Sequence, residues 1–325
     1  MATLRQMPDS ALGPVFTRPL EERDLEAADR IFRVAFGTFL GLPSPETFAG
    51  DSDMVRTRWL AAPDSALVAE VNGSLAGSNF VTRWGSVGFF GPLTVHPSLW
   101  DRGIAQKLLG PTTAMLENWQ VTHAGLFTFG HSTKHVGLYQ KFGFWPRFLT
   151  MIMSKAISAQ GTAAEVTKFS ELSADEKAHA LAECRKVTDS VYPGLDVERE
   201  IRAVDDQRLG DIILLADNSR LVAFAVCHCG AGSEAGTGAC YVKFAAVRSG
   251  HAAGQHFEEL LRSCANFAAL KGSARLIAGV NTSRSQSYRT LLAHGFRTEF
   301  QGVAMQRGND AGYNREGVYL IDDWR

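Results

Sequence analysis

The sequence predicts an α/β protein of two similar units in tandem. Three observations predict it. Strand-like and helical stretches alternate along the chain, they fall in the same order in both halves, and one spacing repeats. From Val95 to Phe144, and from Val247 to Phe296, the separation is 49 residues in each case. Each time a strand ends at the valine, then helix, strand and helix follow, and a Gly-Phe pair closes the segment. A length of 325 residues fits two ordinary domains, and 45% hydrophobic with 21% charged residues supplies two cores without a staple. The boundaries fall at 1–157 and 164–325, with the small, polar AISAQGTAAE (156–165) as linker.

In the first half, VFTRPL (15–20) reads as a strand. Leu25, Ala28, Ile31, Phe32, Ala35 and Phe36 then recur at helical spacing up to Gly37. A second helix is expected from Pro45 to Ala61. Strands follow at 66–71, 75–82 and 86–95, the first two joined by the tight-turn pair Asn72-Gly73. A helix from about Arg102 to Trp119 contains Pro111, which predicts a kink or break there, because proline lacks the N–H the helix needs. A strand at 124–129, a helix at 133–142 stopping at Gly143, and a strand at 147–154 complete the half.

The second half repeats the order. Ser173 and Glu176 form a capping box opening a helix to about Thr188. A shorter helix is expected near 196–206, strands at 211–216, 221–229 and 239–247, a helix at 252–271, a strand at 275–280, a helix at 284–294 and a strand at 296–306.

Composition excludes several classes of function. Net charge is −1 and no Lys/Arg run exists, so neither nucleic acid nor a membrane surface is an expected partner. The opening MATLRQMPDSALGPVF lacks a signal-peptide core, and no apolar run reaches the roughly 20 residues that span a bilayer. The expected location is cytoplasmic. Five cysteines, an odd number and all in the second half, argue against a disulfide framework. Cys227 and Cys229 alternate on one face of a strand with no second ligand pair at zinc spacing, so no metal is expected.

The chemistry concentrates in VHPSLWDRGIAQKLL (95–109). A strand ends at Val95, a turn with Pro97 follows, and a helix begins near Arg102. Its first amides have no partner inside the helix, and its dipole adds positive potential. Gly103 and Ala105 let a ligand approach the backbone, and Arg102 adds charge. This is an anion site suited to a pyrophosphate.

The spacing Val95, Pro97, Trp100, Gly103, Ala105 resembles motif A of the GNAT superfamily of acetyl-CoA-dependent N-acetyltransferases, V-x-P-x-x-[RQ]-x-x-G-x-[GA], with Trp100 in the Arg/Gln place. Leu138, Tyr139, Gly143 and Phe144 resemble motif B. The resemblance covers about 15–155 and, more weakly, 164–325. It implies two GNAT-like domains, each a mixed, mostly antiparallel sheet with a splayed parallel strand pair flanked by helices. It further implies a pantetheine arm paired with Leu93, Thr94 and Val95, and a pyrophosphate on the amides of Trp100, Asp101, Arg102, Gly103, Ile104 and Ala105. Ser132 is placed beside the same coenzyme. The implied reaction is direct attack of an amine on acetyl-CoA, with a strand amide polarising the carbonyl and Tyr139 protonating the leaving thiolate. The first half has no carboxylate base on its central strand, and His131 is the candidate, ahead of His96 and His135.

The second half departs from this pattern. Gly254 comes one residue early relative to Val247, His256 replaces the small residue, and Leu291 stands at the tyrosine position. A degenerate copy is expected. Gly230, Gly232 and Ala235 mimic a dinucleotide loop, but a strand follows them rather than a helix, so a hairpin is expected. The expected function is an acetyl-CoA-dependent N-acetyltransferase acting on a small-molecule or peptide amine. The alternatives are a non-catalytic acyl-CoA-binding protein, or catalysis in the second half.

Overall fold

The computed structural model describes residues 13–158 and 166–325. The opening residues 1–12 and most of the expected linker, 159–165, lie outside the described residues.

The first half runs β1 (Val15–Pro19), α1 (Leu25–Phe39), α2 (Val55–Ala61), β2 (Ala66–Val71), β3 (Ser74–Trp84), β4 (Val87–Phe90), β5 (Thr94–Val95), α3 (Ile104–Asn118), β6 (His123–Thr128), α4 (Thr133–Gln140) and β7 (Phe144–Ala156). The second runs β8 (Thr167–Lys168), α5 (Ala174–Val191), α6 (Glu198–Gln207), β9 (Gly210–Asp217), β10 (Arg220–Gly230), β11 (Gly236–Val247), α7 (Ala253–Leu270), β12 (Arg275–Asn281), α8 (Ser285–Ala293), β13 (Arg297–Arg307) and β14 (Leu320–Ile321). Asn72 and Gly73 both have positive φ, as the β2–β3 hairpin requires. Ser173 and Glu176 cap each other's backbone at the start of α5.

Three expectations changed. The helix expected over 45–61 is only α2, preceded by one short turn at Pro45–Thr47. Ala49 and Gly50 have positive φ, which ends helical winding. The Arg33 guanidinium instead ties up the carbonyls of Phe48, Gly50 and Ser52 at 2.7–2.8 Å. The strand expected at 86–95 is broken at Gly91-Pro92 into β4 and β5. Pro111, by contrast, does not break α3, which runs through it. The Thr112 and Thr113 hydroxyls donate to the Leu108 and Leu109 carbonyls on the same turn.

All strands join one mixed sheet, in the order β1-β2-β3-β4-β6-β13-β7-β12-β11-β10-β9-β8, with β5 on β3 and β14 on β11. The halves exchange their closing strands. β13 pairs with β6 from Val303↔Thr128 to Gln306↔Gly125, and β7 pairs with β12 from Arg275↔Ala156 to Asn281↔Thr150. β7 and β13 also pair with each other along most of their length. Neither half completes its sheet alone.

Burial follows strand alternation. Phe224 and Val226 of β10 face a core with Val187 of α5 and Ile201 of α6, whereas Ala223, Ala225 and Cys227 face α7. On α7, Phe257, Leu260, Leu261, Cys264 and Phe267 supply the buried stripe, about 1.5–3 kcal/mol for each large side chain removed from water. All five cysteines are free thiols.

Each half has one parallel strand pair. β4 and β6 pair only from Val87↔His123 to Phe90↔Leu126, and β11 and β12 only from Ala239↔Arg275 to Val242↔Ala278. Beyond those points each pair splays. The second gap is filled by the chain itself: β14 pairs with β11 at Ala245↔Ile321 and Ala246↔Leu320, and the Val247 amide donates to the Tyr319 carbonyl. The first gap opens into a cavity of about 1240 Å³.

Candidate active site

The β5–α3 connection forms one wall of that cavity. β5 pairs with β3 at Gly77↔Val95 and Ser78↔Thr94, and the His96 amide donates to the Ala76 carbonyl. Ladder alternation therefore turns the amide and carbonyl of Val95 away from β3. The Trp100 indole donates to that carbonyl at 2.7 Å, which folds the loop back on its own strand. Asp101 (φ 65°) and Gly103 (φ 76°) make the left-handed turn into α3. Gly103 has no side chain with which to cap the helix, and a β-carbon there would meet nothing within 4 Å. The amides of the first turn thus border open space, the arrangement an anion uses.

Leu93, Thr94, Val95, Trp100, Asp101, Arg102, Gly103, Ile104, Ala105, Ser132 and Tyr139 all line this one cavity. Charge is distributed to match. Asp101 pairs with Lys134 at 2.6 Å across the loop, and Arg102 and Lys141 also line the cavity. Ser132 caps α4 by accepting from the His135 amide.

Tyr139 is 8% exposed and packs its ring near Phe90 at 5.8 Å. Burial raises its phenol above the ordinary value of 10, so at neutral pH it holds its proton and can donate it. His131 stands apart. It is exposed, does not line the cavity, and lies against Phe39 and Phe129. The imidazole that does line the cavity is His135, whose basicity is lowered by burial and then by Lys134 and His131. His96 turns back to Ser98.

Among known families, residues 29–144 match the model described as the acetyltransferase (GNAT) family. The chain carries a GNAT-family domain. No curated protein matches the chain in sequence. Solved structures resemble it along nearly its whole length. A candidate acetyltransferase from Pyrococcus horikoshii aligns with TM-score 0.68 at 15% identity, over 98% of this chain and 98% of that one. A GCN5-related N-acetyltransferase from Sphaerobacter thermophilus aligns with TM-score 0.61 at 15% identity, over 93% and 96%. Another from Anabaena variabilis gives 0.52 at 11% identity, over 90% and 72%. At such identities the likeness is one of fold, and it extends across both halves.

The GNAT domain does not enclose its cavity alone. Glu234, Ala235, Gly236, Thr237, Ile277, Phe300 and Arg325 of the second half line it too. The Gly230–Gly236 stretch that mimics a dinucleotide loop is the β10–β11 hairpin turn, and it carries Glu234 into the wall. Arg58 of α2 grips the Glu234 carboxylate through Nε and Nη2, both at 2.9 Å, and gives Nη1 to the Gly91 carbonyl at 2.7 Å. Lys243 bridges Glu234 and Glu200 at 2.7 Å each. Arg58 and Lys243 outweigh burial and hold the Glu234 carboxyl well below its ordinary value. It is a fixed anion, unsuited to accept a proton. His228 beside it is kept neutral, pushed down to about 4 by burial. Nothing in the sequence signals this network, because Arg58 and Glu234 lie 176 residues apart.

Among the described residues no cluster of ligands fit for a metal occurs, and no helix is long and apolar enough to cross a membrane.

Proposed function

We propose that this protein is an acetyl-CoA-dependent N-acetyltransferase with a single coenzyme site in its first half. In this reading residues 1–157 are the acetyl-CoA-binding GNAT domain, and 164–325 are a GNAT-like copy that completes the acceptor chamber. The observation carrying the proposal is that the uncapped start of α3, the splayed end of β4–β6 and the Tyr139 phenol share one cavity. The α3 amides, with Arg102 and Lys141, suit the coenzyme's phosphates. The backbone of Leu93–Val95 suits its pantetheine arm.

The acceptor nitrogen forms a bond to the acyl carbon, and the carbon–sulfur bond breaks. Tyr139 is positioned to give its proton to the departing thiolate, and neutral His135 or water takes the proton that the amine loses. An active site in the second half is disfavoured because β14 occupies the splay there and Tyr319 crowds Gly254, where a β-carbon would lie 2.9 Å from its hydroxyl.

Calorimetry tests the reading. The parent is expected to bind one acetyl-CoA per chain, and Gly103→Glu to bind none, since a carboxylate at that turn opposes a phosphate. Tyr139→Phe is expected to keep the affinity and lower kcat about 10- to 100-fold. Equal affinity in the Gly103→Glu protein would refute the site. Tight binding by the parent with no turnover on any amine would favour a non-catalytic acyl-CoA-binding role.

A further inference from the structure

We infer that the acceptor is a small primary amine on an apolar aromatic or alkyl body, with no anionic group of its own. This rests on the transferase reading and names the substrate class of the same site.

The cavity is asymmetric across the sheet. α3 and its cationic surroundings border β5, whereas Phe300 lies on β13, beyond β6. From α1, which packs on β3 and β5, across to that far side the wall is aromatic. Phe36 stacks on Phe48 at 5.3 Å, Phe129 approaches Phe39 at 5.0 Å, and Phe129 meets Phe300 at 6.4 Å. These five rings come from α1, the loop after it, the end of β6, and β13 of the other half. Each is left partly exposed, and Phe300 is 38% exposed. Rings left partly exposed at a cavity wall supply area for an apolar ligand; the Arg325 guanidinium already lies 6.0 Å from the Phe300 centroid, so an ammonium is left the faces of the other rings.

Charges narrow the class. On this side Arg275 is paired with Glu299 at 2.8 Å and Arg325 with Asp323 at 3.0 Å, so each cation already has a counter-charge. Glu234 is neutralised by Arg58 and Lys243. Among the described lining carboxylates, Asp51 has no ion-pair partner; its two oxygens accept from the Thr237 amide, at 2.8 Å, and from the Thr237 hydroxyl, which leaves each a free lone pair. One unpaired acid suits one ammonium. A polyamine, with several cations, finds too few partners, and the carboxylate of an α-amino acid would have to compete with Glu299 or Asp323 for its cation. The second half also walls the chamber, which suits a small molecule better than a lysine on a folded protein.

The test is a panel of phenethylamine, hexylamine, phenylalanine and spermidine, read by CoA release from the full chain with acetyl-CoA. Phenethylamine and hexylamine are expected to exceed phenylalanine and spermidine at least tenfold in kcat/KM. Phe300→Ala, at a half-exposed position, is expected to raise the phenethylamine KM severalfold and leave the acetyl-CoA KM unchanged. A preference for spermidine or phenylalanine overturns the inference while the transferase reading stands. If no amine turns over, calorimetry of phenethylamine against the CoA-loaded protein decides, and absence of binding overturns it. Absence of acetyl-CoA binding removes both, and is read separately before any amine is added.

Discussion

The two halves place a splayed parallel strand pair at the same point and treat it in opposite ways. In the first, β4 and β6 part over a cavity that reaches the start of α3. In the second, β11 and β12 part around the chain's own Tyr319–Ile321 segment, which hydrogen-bonds to β11 as an added strand. The Asp323 side chain continues the plug against Gly279, where a β-carbon would lie 2.3 Å from it. The contrast extends to the helix that follows each gap. Open space surrounds Gly103, whereas Tyr319 covers Gly254. A splayed pair leaves backbone groups unpaired, and these need a partner. One half meets that need within the chain, and the other is left able to meet it with a ligand.

The sharpest way to break this comparison is to place the same side chain at both turns. Gly103→Glu is expected to abolish acetyl-CoA binding and to destabilise by about 1–2 kcal/mol, the cost of a side chain at positive φ with no overpacking added. Gly254→Glu is expected to leave binding unchanged and to destabilise by about 1–3 kcal/mol, because it overpacks against Tyr319. Calorimetry and thermal melts on both proteins check this. Loss of binding in the Gly254 variant alone would invert the roles of the halves.

Next in size is the bond between the halves. Arg58→Met leaves Glu234 buried beside Lys243 alone, and is expected to cost about 3–5 kcal/mol in urea unfolding. Gly91 also loses the donor to its carbonyl. Turnover is therefore expected to fall more than stability accounts for, measured at a temperature where the variant remains folded.

How much of this was legible in the sequence divides along the same line. The Val95–Ala105 turn, Tyr139, the Asn72-Gly73 hairpin and the Ser173/Glu176 box are local patterns, and local physics suffices to place them. The plugged gap, the exchange of β7 and β13, and the Arg58–Glu234 pair depend on segments that are far apart in the chain. No residue of Leu320-Ile321 announces a strand two residues long. Phe300 reads as an ordinary strand residue until β13 is seen to leave its own half and sit beside β6. Pro111 differed in the other direction, since propensity predicted a kink or break and the helix, with Leu108, Leu109 and Thr112 buried around the proline, is not broken.

A smaller expected effect compares buried imidazoles. His123 in the first half and His228 in the second are both pushed down to about 4, chiefly by burial. The unfolded chain therefore takes up protons first. Their contribution is complete above pH 6.5 and is lost as pH falls toward 4, by roughly 2–3 kcal/mol for each at pH 4.5. The Glu234 carboxyl adds its own loss only below its ordinary value of 4.5. Urea midpoints at pH 7, 5.5 and 4.5 are expected to fall. His123→Gln and His228→Gln are each expected to remove about half of the slope. A slope unchanged in both would show that neither ring is the source.

The smallest expected effect concerns Trp100, where the GNAT pattern places Arg or Gln. Its indole N–H is spent on the Val95 carbonyl, so this side chain has no donor left for the coenzyme. If the coenzyme is held by amides, Trp100→Gln should keep acetyl-CoA affinity within about threefold, less than 1 kcal/mol. Part of any loss would reflect the freed Val95 carbonyl and a looser loop. A tenfold gain would instead mean that the indole competes with the coenzyme for the edge of β5. The first half would then be partly closed by its own side chain, a milder form of what β14 does in the second.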